Sequence, residues 1–129
     1  QQRAFTYIDD GIEALVKIIA NKDGIADGKI YNIGNPGNNV SVVDLAEMML
    51  AHAKTLPEYR DAAQRVELVQ VPAQNYYGAG YQDVLRRVPD IRNTVAELDW
   101  APKVEMREAL TPVFDYYRDH AAAEADLVA

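Results

Sequence analysis

Two short strand patterns on either side of one amphipathic helix restrict this chain more than any other feature of its sequence. Arg3 to Ile8, RAFTYI, alternates with Phe5 and Tyr7 on one face, as a half-buried strand does. Asp9 and Asp10 follow, ahead of Ile12, Leu15, Val16 and Ile19, an apolar stripe at helical spacing. The two aspartates are therefore expected to cap a helix and meet its positive end rather than to form a catalytic carboxylate pair. After the turn KDGIADGK, Lys29 to Gly34, KIYNIG, reads as a second, buried strand. Two strands alone are marginal in water. The chain, which begins at Gln1, is thus expected to be a piece of a longer protein; without the upstream sheet, its apolar faces are expected to be covered by another copy of the chain or left partly disordered.

The remaining elements are short. NPGNN after Gly34 is a turn; Gly34 and Gly37 lack the third glycine or the lysine of a phosphate loop. Ser41, the only serine, stands three residues before Asp44 and opens an amphipathic stretch with Val42, Val43, Leu45, Ala46, Met49 and Leu50. That is a capping box and predicts a helix, so Ser41 is a cap and not a nucleophile. Met48 and Met49 are expected to fill core gaps. LPEYRDAAQR predicts a short helix, and VELVQVPA a strand ending at Pro72. Ile91 to Trp100 predicts a brief helix with Val95 and Leu98 facing inward. Ala109, Leu110, Val113, Phe114 and Tyr117 mark a last helix that Pro112 should kink or delay, and the closing AAAEADLVA is expected to fray.

Chemistry concentrates between Asn75 and Arg92, NYYGAGYQDVLRRVPDIR. Tyr76, Tyr77 and Tyr81 surround Gly78 and Gly80, and Arg86, Arg87 and Arg92 follow closely. Aromatic faces with guanidinium forks suit a flat ring joined to an anion, such as a nucleotide-linked sugar. The same residues also fit a plainer reading, surface tyrosines beside arginines paired with carboxylates. The net charge of −7 argues against a general nucleic-acid binder, so the arginine cluster points to a small anion. Without cysteine there is no disulfide, thiolate metal site or thiol nucleophile. His52 and His120 lack metal-ligand spacing, and no metal is expected. No apolar run reaches the roughly 18 residues of a membrane span, and a cytoplasmic location is expected.

In order, RAFTYIDDGIEAL, IYNIGNP and RRVPDIRNTVAELDWAPKVEMREAL resemble the C-terminal part of extended short-chain dehydrogenase/reductases of the NAD-dependent epimerase/dehydratase family. YYGAGYQDV narrows the resemblance to the UDP-glucuronate decarboxylase (UDP-4-keto-pentose-forming) domain of bifunctional polymyxin-resistance proteins, over Arg3 to about Tyr117. The resemblance implies an α/β fold: a C-terminal substrate-binding lobe plus the last elements of a Rossmann-type fold, with the main nucleotide-binding sheet missing. Residues 1–36 would form a strand-helix-strand piece docking on that sheet, 37–120 the substrate lobe and 121–129 a frayed tail. It further implies that NAD oxidises C4 of UDP-glucuronate, that CO2 then leaves, and that a UDP-4-keto-pentose results, in aminoarabinose modification of lipid A. Arg87 matches the family's proton-donor arginine and Tyr81 its UDP-sugar-binding tyrosine. Gln1, Gln2 and Arg3 match the end of the UDP-binding segment, Gln2 replacing a lysine. Arg86 stands at a histidine position and Pro112 at a glutamate position, so neither inherits a role.

The oxidation half of that chemistry has no counterpart here. None of the eight tyrosines has a lysine four residues later, and no GxxGxxG occurs. NAD is accordingly expected in the full-length protein and not on this chain, which alone is expected to be inactive. The expected partners are a UDP-sugar, the missing N-terminal Rossmann portion and, in the full-length protein, further copies of itself; nucleic acid and membrane insertion are not expected. A piece of another nucleotide-sugar epimerase or dehydratase, and a non-catalytic sugar-nucleotide-binding module, are the alternatives.

Overall fold

The computed structural model describes residues 1–71, Asn75, Val84 and 86–125, the side chains of 121–125 excepted. Among these the chain is mixed α/β. A three-stranded sheet of β1 (Gln2–Ala4), β2 (Asn39–Ser41) and β3 (Arg86–Arg87) is ordered β2-β1-β3. Five helices accompany it: α1 (Ile8–Ala20), α2 (Val42–Thr55), α3 (Pro57–Arg65), α4 (Arg92–Leu98) and α5 (Met106–Ala125). The chain divides into two compact units, residues 1–3 with 40–87 and residues 4–39 with 88–129.

In the first unit, Ser41 and Asp44 form the expected capping box. The Ser41 hydroxyl accepts from the Asp44 amide at 3.0 Å, and the Asp44 carboxylate accepts from the Ser41 amide at 3.2 Å. The Ser41 side-chain and backbone hydrogen bonds hold the Asp44 carboxyl below its ordinary pKa. At Leu56 the chain turns, and Pro57 opens α3, where a missing N–H costs nothing. Buried Ala53 on α2 and Ala63 on α3 leave room for the two helices to pack closely. Two expectations change here. Residues 66–71 form no strand, and Val66, Leu68, Val69 and Val71 are exposed, because their alternation needs a neighbouring strand and no described residue supplies one. Met49 is exposed, while Met48 is half-buried.

The second unit is built around Ala14, Leu98 and Trp100, with Ile18, Ile25, Tyr31, Ile33 and Ile91 packed against them. Helix α1 starts one residue ahead of Asp9, with Tyr7 at its N-cap and no side-chain cap. The aspartates thus lie inside the first turn, at the positive end but not as caps. Asp10 is only 3 % exposed, and its carboxylate turns away from its own helix to accept the amides of Lys103 and Val104, each at 3.0 Å. A charge so buried is tolerated because it is hydrogen-bonded. On the opposite face of α1, the stripe of Ile12, Leu15, Val16 and Ile19 is exposed, Ile19 to 81 %.

KIYNIG keeps the alternation of a strand but not the ladder. Tyr31 and Ile33 face the core while Ile30 is 92 % exposed, and residues 29–35 are irregular. Without a described neighbour strand, this backbone bonds to side chains instead: the Asn32 carbonyl accepts from the buried Thr94 hydroxyl at 2.7 Å. Thr94, rather than the half-exposed Val95, is the inward residue of α4 beside Leu98. The NPGNN loop is a structural turn. Asn38, buried, donates to the Val104 carbonyl at 3.0 Å and accepts the Met106 amide at 2.8 Å, capping α5 from a remote part of the sequence. Helix α5 begins at Met106, earlier than Pro112 would allow under a late start, and continues through Ala125 into the segment expected to fray.

Gly34 answers a packing need. A Cβ there would sit 2.6 Å from Cγ of Pro89, whose closed ring has little freedom to move aside. Gly34→Ala is expected to destabilise the protein by about 1 to 3 kcal/mol through this overlap, and thermal unfolding followed by circular dichroism measures it.

Tyr31 gives this unit a pH dependence in the alkaline range. Its hydroxyl has one proton to share between the Ile25 carbonyl at 2.9 Å and the Glu97 carboxylate at 2.8 Å. Burial, then the Glu97 hydrogen bond and negative charge, push the Tyr31 pKa up to about 12. The Lys29 hydrogen bond, then that of Tyr31, holds Glu97 below its usual range. A group whose folded pKa is raised contributes stability that is present below its unfolded value and lost as pH rises through the folded one. Stability is therefore expected to fall between the ordinary tyrosine value of 10.0 and about 12, and less steeply in Tyr31→Phe. Urea unfolding across that window, with tyrosinate absorbance as a second reading, tests this.

Candidate functional site

Arg86 and Arg87 of the arginine cluster meet the first residues of the chain in the sheet of the first unit. Strands β1 and β3 run parallel, with Gln2 opposite Arg86 and Arg3 opposite Arg87. Side chains alternate between the faces of a strand, so residues in register share a face. Arg3 and Arg87 therefore stand on one face of the sheet, Gln2 and Arg86 on the other. Residues 84 positions apart in sequence have become lateral neighbours, which nothing in the periodicity of either segment announces.

Both strands are very short, and Arg87 and Arg86 are exposed. Arg3 is half-buried and closes onto the backbone around it. Its Nη1 donates to the Gln2 carbonyl at 2.8 Å and to the Val84 carbonyl at 3.0 Å. The second of these bonds crosses 81 residues of sequence. Gln1 and Gln2 are exposed at the start of β1, and the Gln1 carbonyl accepts the Val42 amide at 3.3 Å, fixing the strand to the head of α2.

Two guanidinium groups side by side on neighbouring strands repel each other. An anion between or above them removes that repulsion and gains paired, charge-assisted hydrogen bonds from planar donors. Two arginine positions side by side on one face make it a candidate site for phosphate or carboxylate.

Of the residues expected to form the site, Arg3 and Arg87 share one face of β1 and β3, Gln2 stands on the other face, and Gln1 lies just ahead of β1. Tyr81 lies outside the described residues, as do Tyr76 and Tyr77. Arg92, from the same arginine-rich stretch, belongs to the second unit and pairs with Asp90 through its Nε at 2.9 Å. That pairing, chiefly its hydrogen bonds, lowers the Asp90 pKa to about 2. Sequence reading missed the Arg3 bond to Val84, since a guanidinium reaching a backbone carbonyl leaves no mark on residue type. Among the described residues, no group of three or more His, Asp or Glu is placed to hold a metal ion, and no helix is long and apolar enough to cross a membrane.

No family model matches the sequence. A solved structure does: the crystal structure of the PbgP3 protein from Burkholderia pseudomallei superposes with a TM-score of 0.80 at 51% sequence identity over 95% of this chain. That likeness supports reading this chain as a C-terminal piece of a bifunctional polymyxin-resistance protein. The chain spans 33% of the length of the PbgP3 chain. At this identity the likeness is one of sequence as well as fold, and it extends over both units. The register of Arg3 beside Arg87 is therefore a feature of a chain whose relative has been solved at about three times its length.

Proposed function

We propose that this chain is the UDP-sugar-binding portion of an NAD-dependent UDP-glucuronic acid oxidative decarboxylase acting in the aminoarabinose modification of lipid A that underlies polymyxin resistance. The observation that carries this reading is the pairing of Arg3 with Arg87 on one sheet face, in a chain 51% identical to PbgP3. The exposed guanidinium of Arg87, beside an Arg3 that is tied to the backbone, suits the sugar end of an anionic ligand.

NAD does not fit the residues present. The chain has neither a glycine-rich dinucleotide loop nor a Tyr-x-x-x-Lys pair, so we place no part of the oxidation on it. Its own share is the step after oxidation. Once C4 is a ketone, the sugar is a β-keto acid, and the bond from C5 to the carboxylate can break with its electrons flowing onto the ketone oxygen. A cation beside that oxygen lowers the barrier, and the enolate then takes up a proton at C5. Arg87 is the residue we assign to this charge. A guanidinium keeps its proton and is a poor acid near neutrality, so its part is electrostatic, with the proton delivered through water. The resemblance adds Gln1 and Tyr81 to the nucleotide side; Gln2, in register with Arg86, stands on the opposite face of the sheet, and we assign it no contact there.

The exposed stripe on α1 supports the same reading. Ile8, Ile12, Leu15, Val16 and Ile19 present an apolar face of the kind that covers a parallel sheet. We propose that the upstream Rossmann portion of the full-length protein packs there.

Calorimetry of the full-length protein with UDP-glucuronate, UDP-glucose and UDP tests the assignment. UDP-glucuronate is expected to bind at least about tenfold more tightly than UDP-glucose, because the carboxylate gains a charge-assisted contact that the hydroxymethyl group cannot make. Equal affinity for the two sugars would remove the carboxylate from the site and with it the decarboxylase reading.

A further inference from the structure

We infer that Arg3 is a positioning residue, which sets where Arg87 stands by tying strand β1 to the segment that leads into β3. This inference rests on the functional reading above and assigns Arg3 a part beyond contact with the nucleotide.

The ladder that joins these strands is too short to hold itself. β3 has two residues and β1 three, against the five or six of an ordinary strand, so few backbone hydrogen bonds resist slippage or fraying. Arg3 adds a cross-link where the ladder begins. Nη1 has two protons, and both go to carbonyls: one to Gln2 on its own strand at 2.8 Å, the other to Val84 at 3.0 Å, two residues before Arg86. One nitrogen thus bridges the two segments from the same side of the guanidinium. The register places Arg3 directly opposite Arg87, so the bridge acts on the stretch of backbone that carries the reacting cation.

That geometry separates two roles that look alike in a binding site. Protons spent on carbonyls are not available to a diphosphate, so Nη1 contributes to the site by shape. Arg87 must lie beside the oxygen on which charge develops, and an error of about 1 Å in such a group costs on the order of a hundredfold in rate. Loss of the Arg3 bridge should therefore appear in kcat. A phosphate clamp would instead appear as a rise in KM with kcat unchanged.

A double-mutant cycle in the full-length NAD-bound protein decides between them. Arg3→Ala is expected to lower kcat for CO2 release by about tenfold or more, beyond any rise in KM from lost contact with the nucleotide. In an Arg87→Ala background the same substitution is expected to have no further effect on kcat, because Arg3 acts through a side chain that is no longer there. Losses that multiply in the double variant, or a KM effect alone, would overturn the inference. Hydrogen exchange of the full-length protein supplies a reading that does not depend on the chemistry. The amides of Arg86 and Arg87 are expected to exchange about tenfold faster or more in Arg3→Ala, with those of α2 and α3 unchanged. Unchanged exchange at Arg86 and Arg87 would overturn the bridge itself. Should Arg87→Ala leave decarboxylation intact while Arg3→Ala loosens β3, the functional reading fails and the bridge stands. If Arg3→Ala does not fold, Arg3→Lys takes its place in both measurements: it keeps a charge for an anion but shortens the reach to Val84, and the same losses are expected.

Discussion

Arg87→Ala in the full-length protein is expected to slow decarboxylation of UDP-glucuronate by about 10- to 100-fold while changing the affinity for UDP by less than about threefold. The magnitude follows from what the guanidinium is asked to do. A charge-assisted hydrogen bond contributes about 1.5 to 3 kcal/mol, and each 1.4 kcal/mol withheld from a transition state is about tenfold in rate. Before the carbon–carbon bond breaks, the ketone oxygen is neutral; afterwards it carries the electron pair the carboxylate left behind. On the proposed assignment, a cation at Arg87 would bind the transition state more strongly than the substrate, and its removal would show in kcat. Single-turnover release of CO2 from preformed 4-keto sugar nucleotide isolates the step from hydride transfer. Calorimetry with UDP reports the ground state. Equal losses in both would make Arg87 a clamp on the diphosphate, and the assignment of the reacting cation would move elsewhere.

How far this site could be seen in advance depended on which scale carried the information. The composition of the stretch from Asn75 to Arg92 marked it as anion-directed, since three arginines within seven residues stand out in a chain of net charge −7. The resemblance separated Arg87 from Arg86. What no local pattern could show was that Arg3 lies opposite Arg87, because strand register is fixed by long-range pairing and leaves no periodic trace in either segment. The capping box at Ser41 was legible for the opposite reason: a cap is a transaction between residues three apart. KIYNIG and VELVQV have the alternation of strands and form none among the described residues, because alternation records a preference for a pleated surface and pairing requires a partner. Asp10 was misplaced as a cap since its partners, the amides of Lys103 and Val104, lie more than ninety residues away.

The same distance governs the stability of the second unit, where Trp100→Ala is expected to cost about 3 to 5 kcal/mol. Trp100 is 2 % exposed and packs with Ala14 and Leu98, so its removal leaves a cavity the size of an indole among the isoleucines packed around it. The ring also donates from Nε1 to the Asp10 carbonyl at 2.9 Å, and Asp10 in turn holds the loop at Lys103 and Val104. One side chain therefore joins the apolar core to the polar tie between α1 and the approach to α5. Against a typical stability of about 5 to 15 kcal/mol, such a loss removes much of the margin. Trp100→Phe separates the two contributions: it keeps most of the packing, forfeits the hydrogen bond, and is expected to cost about 1 to 2 kcal/mol. Urea unfolding must be followed by circular dichroism, since Trp100 is the chain's only tryptophan and its fluorescence disappears with the substitution. Equal and small losses in the two variants would mean that the cavity collapses, and that the core is held by the Asp10 network more than by the indole.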